Sequence, residues 1–206
     1  MQRRLPGGQM TRIIAGSLGG RRIDTPPGDL TRPTSDRVRE ALFSRVESLL
    51  GGLAGCAALD LYAGSGAIAL EALSRGADRA VLIEADRRAA GVIRRNAAQL
   101  GLADRVDVVT AKVDTALAAD RRIVADLVVA DPPYTVPSAA LHATLSRLLS
   151  GGWCTADALI VVERPSRAGQ WTFPEEVEDV GSRRYGETTL WYGRRCPPGA
   201  EGGGAQ

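Results

Sequence analysis

The residues with the clearest chemical potential are Asp131-Pro132-Pro133-Tyr134, which end the apolar run Val128-Val129-Ala130. A buried strand reads this way when its C-terminal end opens onto a site. Neither proline can donate to a ladder, and each holds φ at about −65°, so the turn is stiff and its carbonyls are aimed. The Tyr134 ring can stack on a flat heterocycle while the Asp131 carboxylate and a proline carbonyl accept two hydrogen bonds from an amino group at its edge. The pattern suits the exocyclic amine of a nucleobase. It also fits a plain strand end with a solvated Asp and a packed Tyr, so the surrounding chain must decide.

Two further motifs end apolar runs in the same manner. Residues 57–62 read as a strand that carries Asp60 and Tyr62 into Gly64-Ser65-Gly66, and residues 80–83 as a strand ending in Glu84-Ala85. Glycines let a backbone approach a ligand closely, and an acid roughly 20 residues further on suits ribose hydroxyls. Gly64-x-Gly66-x-x-Ala69 also fits the loose dinucleotide fingerprint. Asp60 argues against a dinucleotide, because a carboxylate projecting into the glycine turn repels a pyrophosphate and pairs with an ammonium group. S-adenosylmethionine carries that ammonium, a ribose for Glu84 and a methyl sulfonium to face Asp131. A cofactor and an amine pocket side by side are the geometry of an amino-methyltransferase.

The elements that must position these groups alternate. Helices are expected over residues 67–75, 87–100, 115–119 and 138–149, and apolar strands over 57–62, 80–84, 106–109, 127–130 and 159–163. Such alternation gives a parallel sheet covered on both faces, with ligands at the carboxyl ends of the strands. Residues 177–185 and 188–192, around Gly186-Glu187, read as a closing antiparallel hairpin. At the front, residues 12–16 and 21–24 read as a small hairpin that brings Arg12, Arg21 and Arg22 together. A helix then opens behind Thr34, Ser35 or Asp36, its polar first turn placing Thr34 and Arg37 within reach of a ligand.

Composition narrows the class. At 206 residues the chain is expected to be one domain with appendages. Cys56, Cys154 and Cys196 are scattered and odd in number, and His142 is the one histidine, so neither a disulfide framework nor a metal cluster is indicated. No apolar run approaches the ~20 residues of a membrane span, and a reducing cytoplasm is the expected location. Residues 1–50 carry nine Arg against five acids, whereas the remainder carries 17 Lys and Arg against 19 acids. Positive charge is concentrated at the front, as arginine, which suits phosphate and stacks on bases.

Taken together, Asp60-Leu61-Tyr62-Ala63-Gly64-Ser65-Gly66, residues 70–77, Arg32-Pro33-Thr34-x-x-Arg37-Val38-Arg39-Glu40-Ala41-Leu42-Phe43 and Asp131-Pro132-Pro133-Tyr134 resemble the RsmD family over residues 12–194. The resemblance implies a Rossmann-like class I methyltransferase: a central, mostly parallel sheet with an antiparallel C-terminal hairpin, flanking helices and an N-terminal β-hairpin. It implies S-adenosylmethionine as cofactor and the N2 amine of a guanine in 16S ribosomal RNA as target, in the assembled small subunit, with a monomeric enzyme and no metal. Cofactor contacts are then expected from Thr34, Arg37, Asp60, Tyr62, Gly64, Ser65, Gly66, Glu84, Ala85, Lys112, Val113 and Asp131. Relatives usually carry Asn or Asp where this chain has Lys112-Val113, so a backbone N–H is the expected contact to adenine there.

The expected division is an extension over residues 1–11, an RNA-contacting hairpin and cofactor lid over 12–50, the methyltransferase domain over 51–195 and a disordered tail over 196–206. Asp131 and the Pro132 carbonyl hold the amine, Pro133 stiffens the turn and Tyr134 stacks on the base. Arg12, Arg21, Arg22 and Arg32 are the expected phosphate contacts. Three other readings remain at this level: an adenine-N6 methyltransferase acting on DNA or another RNA, a nicotinamide-dependent oxidoreductase, and an RNA-binding module without catalysis.

Overall fold

A computed structural model describes residues 10–26, 36–120 and 122–196. The chain runs β1 (Met10–Arg12), β2 (Arg22–Asp24), α1 (Asp36–Leu50), β3 (Ala57–Asp60), α2 (Ala67–Ser74), β4 (Arg79–Glu84), α3 (Arg87–Leu100), β5 (Val106–Thr110), α4 (Val113–Leu117), β6 (Ala125–Ala130), α5 (Ser138–Ser150), β7 (Cys154–Pro165), β8 (Val177–Tyr185) and β9 (Thr188–Arg195). Seven strands form one sheet in the order β5-β4-β3-β6-β7-β9-β8. β3 to β7 are parallel, whereas β9 runs antiparallel to β7 and β8 to β9. The order reverses between β3 and β6, so the crevice between their C-terminal ends is the topological switch point.

Side-chain alternation divides the core between the two faces. Ala58, Leu82, Leu127, Val129, Leu159 and Val161 join the cluster shared with α1, α2 and α3. Leu59, Val81, Ile83, Val128, Ala130, Ile160 and Val162 join the cluster shared with α4 and α5. The parallel strands, buried on both faces, are therefore near-continuous apolar runs. Asp60 and Glu84, each the last residue of its strand, break those runs at the switch-point end.

Several boundaries differ from the sequence expectation. β7 begins at Cys154, five residues before the apolar run, because Cys154 pairs with Ala125 beyond a register shift in β6. β1 starts at Met10, so Met10 and Thr11 are strand residues and not extension. The hairpin opens early: Ile14 and Ala15 donate their N–H groups to the Glu71 carboxylate in α2 at 2.6 and 2.9 Å instead of to a partner strand. Cys196 likewise extends past β9, its N–H donating to Glu176 O at 2.8 Å. The extension over 1–9, the tail over 197–206, Arg32 and Thr34 lie outside the described residues. No helix among the described residues is long and apolar enough to cross a membrane.

The front segment is fastened to the domain by buried charge. Glu71, fully buried, also accepts from Arg75 Nε at 2.8 Å and lies 3.8 Å from Arg39 Nε. Arg39, 1% exposed, reaches Asp36 at 3.1 Å and the carbonyl of Arg12. Gly16, at φ +79°, lies against Ser74 so closely that a Cβ would be 2.0 Å from the Ser74 carbonyl oxygen. Hairpin, α1 and α2 thus share one polar joint.

Candidate active site

Asp60 ends β3 inside the switch point, and its carboxylate is 2% exposed, approached by the Tyr62 and Ala69 N–H groups without a hydrogen bond of full geometry to either oxygen. Burial pushes its carboxyl up to about 7; the Tyr62 and Ala69 N–H groups oppose that rise and the Glu84 charge adds to it. A buried acid whose donors are poorly aligned is costly to ionise, and a cation entering beside it removes that cost. The loop that follows is held by the neighbouring strands: Leu61 N–H donates to Val129 O at 3.0 Å and Ala63 N–H to Ile83 O at 3.1 Å. Gly64 turns at φ +53° with no atom within 4 Å of the position its Cβ would take, leaving open space above the turn. The glycine turn and the buried carboxylate fit a small molecule that carries an ammonium group.

Glu84 fixes the neighbouring loops. Its Oε2 accepts from Gly64 N–H at 2.8 Å and its Oε1 from Asp86 N–H at 2.7 Å, and Ala85 between them is exposed. Asp86 caps α3 through the N–H groups of Arg88 and Ala89, bonds that hold its carboxyl below the usual carboxylate range. Asn96, missed in the sequence, is fully buried and donates to Ser65 O at 3.0 Å and Asp24 O at 2.9 Å, tying the glycine turn to β2. Lys112 is exposed at the start of α4. Val113 is 8% exposed with its side chain in the core. Arg37 is exposed in the first turn of α1. The Tyr62 ring packs against the α4–α5 core and its hydroxyl lies near Thr144, Asp114 and Arg164; burial raises its pKa first, and Asp114 adds to the rise.

Across the crevice, β6 delivers Asp131, which is half-buried. Pro132 is buried, and its carbonyl accepts from no donor among the described residues. The Pro133 carbonyl, by contrast, is taken by Val136 N–H at 2.9 Å. Tyr134 is 49% exposed, with its ring available to a flat partner. Asp60 and Asp131 are brought to the ends of the paired strands β3 and β6, where Asp60 is in register with Val129.

The basic residues of the front segment do not converge there. Arg12 is exposed and paired with Asp36 at 3.0 Å, at the start of α1. Arg21 donates to the Gln99 carbonyl at 3.3 Å in the last turn of α3. Arg22, adjacent and exposed, is the cross-strand partner of Arg12, so the hairpin does bring Arg12, Arg21 and Arg22 together. Arg164, also missed, closes β7 beside the Asp131 loop. Its signal was an acid and an arginine directly after Ile160-Val161-Val162, the same strand-end rule that marks Glu84 and Asp131.

The family model described as "Conserved hypothetical protein 95" matches residues 11–194. "Ribosomal RNA small subunit methyltransferase D" of Escherichia coli K12 is 39% identical over 168 residues, covering 82% of this chain and 81% of that protein. Among solved structures, yhhF from Escherichia coli superposes with a TM-score of 0.80 at 33% identity, covering 91% of this chain and 99% of its own. An RNA methyltransferase from Salinibacter ruber, solved in complex with S-adenosyl-L-homocysteine, shares the fold at 20% identity and a TM-score of 0.60, over 80% of this chain and 94% of that one.

Proposed function

Starting from the fact that this chain belongs to the RsmD family of S-adenosylmethionine-dependent ribosomal RNA methyltransferases, we propose that it methylates the exocyclic N2 amine of a guanine in 16S RNA, within the assembled small subunit. The observation that carries the reading is the pairing, across one switch point, of a buried carboxylate, Asp60, with the half-buried Asp131 and the half-exposed ring of Tyr134. The first answers a cofactor ammonium and the second a flat base that bears an amine.

Bound S-adenosylmethionine supplies a methyl group on positively charged sulfur. Asp60 accepts the ammonium, the Gly64 turn admits the cofactor backbone, and Glu84 keeps lone pairs for ribose hydroxyls while it holds both loops. Thr34 and Arg37 border the cofactor from the front segment, and the backbone at Lys112-Val113 borders the adenine. Asp131 and the Pro132 carbonyl accept the two amine N–H bonds and turn the nitrogen lone pair toward the methyl group. Tyr134 fixes the plane of the base. Alignment of this kind supplies part of the ~7–11 kcal/mol available to well-placed reactants. The proton becomes acidic once nitrogen is methylated, and Asp131 passes it to water. The base must be unpaired or splayed out to reach the site.

Arg12, Arg21, Arg22 and Arg32 extend the contact along the large substrate, away from the reacting base. Charge reversal at Arg22 is expected to weaken RNA binding and its salt dependence while cofactor affinity stays unchanged. The test of the reaction is nucleoside analysis after transfer of labelled methyl groups to intact small subunits and, separately, to their free RNA. N2-methylguanosine formed on subunits is the expected product; N6-methyladenosine would establish the adenine reading, and transfer to free RNA alone would displace the assembled particle as substrate.

A further inference from the structure

α5 begins four residues after Tyr134, so its N-terminus follows directly on the Asp131–Tyr134 loop at the C-terminal end of β6. The helix is 13 residues long, and its first turn has no side-chain cap, because the N-cap residue is Pro137. Proline offers no oxygen to the orphan N–H groups of that turn. Beneath Ser138 lies Arg164, 5% exposed, whose Nη2 donates to Ser138 Oγ at 3.4 Å. Its Nε and Nη1 are buried with no hydrogen-bond partner. An arginine keeps its charge in any protein environment, and a buried cation without a carboxylate is costly unless an anion answers it. Helix N–H groups, a serine hydroxyl and a guanidinium therefore aim positive potential at one point beside Tyr134.

We propose that the N-terminus of α5, backed by Arg164, seats a phosphodiester group of the RNA nucleotide being methylated. The exposed N–H groups and Ser138 Oγ make the direct contacts. Arg164, sealed below them, is a positioning residue that acts through Ser138 and by its field. Seating the phosphate here holds the sugar of a splayed nucleotide next to Tyr134 while Asp131 takes the amine. The inference rests on the RNA-methyltransferase reading, and it supplies a phosphate contact beside the reacting base, whereas Arg12 and Arg21 of the front segment are engaged with Asp36 and Gln99.

The test uses the full chain, cofactor and unmethylated small ribosomal subunits, with affinity for their RNA measured over a salt series. Ser138→Asp places an acid in the first turn, where it favours the helix, so loss of folding does not confound it. The expected result is RNA affinity at least roughly tenfold weaker and a salt slope shallower by about 0.7–0.9, the loss of one phosphate contact, with cofactor affinity at the wild-type value. Arg164→Met is expected to follow it, with Arg164→Lys restoring most of the affinity and the slope. A Ser138→Asp protein with wild-type affinity and slope, while the wild type methylates the same RNA, would overturn the phosphate seat alone. A wild type that binds cofactor but neither binds nor methylates the RNA would overturn both this inference and the reading beneath it.

Discussion

Burial, only partly offset by the Tyr62 and Ala69 N–H groups, makes Asp60 protonated where an ordinary aspartate is ionised. Its folded pKa, raised to about 7, stands above the 3.8 of an unperturbed aspartate, so the folded state binds the extra proton between those values. The stability this contributes is complete below pH ~4 and is lost as pH rises toward ~7, in total on the order of 4 kcal/mol for the cofactor-free protein. Cofactor binding needs the ionised form and should strengthen about tenfold per unit between pH 5 and 7, with release of a proton that calorimetry in buffers of different ionisation enthalpy will detect. Asp60→Asn should flatten both profiles and weaken cofactor binding by about 30-fold or more. Affinity that stays level across that pH range in the wild type would contradict the ammonium role. The position of Asp60 was legible because an acid ended an apolar run; its protonation was not, since that depends on side chains distant in sequence sealing it from water.

Turns and helices separate what builds the fold from what binds. Gly64 and Gly66 both turn at positive φ, yet a Cβ at Gly66 would lie 3.2 Å from Leu82 and Ile93, whereas one at Gly64 meets nothing within 4 Å. Gly66→Ala should therefore lower the melting temperature, while Gly64→Ala costs only about 1–2 kcal/mol of backbone strain and mainly weakens cofactor binding. Thermal melts beside cofactor titrations distinguish the two. Glu71→Ala leaves Arg39 and Arg75 buried without their shared anion, an expected loss of about 3–5 kcal/mol, or roughly 10 °C in melting temperature. The helices were legible from their spacing and glycine stops. The early opening of the front hairpin was not, because local pattern favours a ladder there and a carboxylate 57 residues away takes the N–H of Ile14. β7 was underestimated for a similar reason: residues 154–158 are strand through their neighbours and not through their own alternation.

At the scale of the molecule, the charge asymmetry was legible and its use was not. The arginines of the front segment divide between an internal joint, at Arg39, and the exposed hairpin, where Arg12 pairs with Arg22 and Arg21 reaches the last turn of α3, while the buried Arg164 sits in the remainder of the chain, which carries net negative charge. In the proposed reading, one switch point instead gathers the functions, with the cofactor half on β3 and β4 and the amine half on β6. That division is tested most directly by single-turnover methyl transfer to small subunits with Asp131→Asn, alongside its affinity for S-adenosylmethionine. Loss of on the order of 10²–10³ in rate, far exceeding any loss in cofactor affinity, is the predicted result. A rate within a few-fold of the wild type would contradict the assignment of the amine to Asp131.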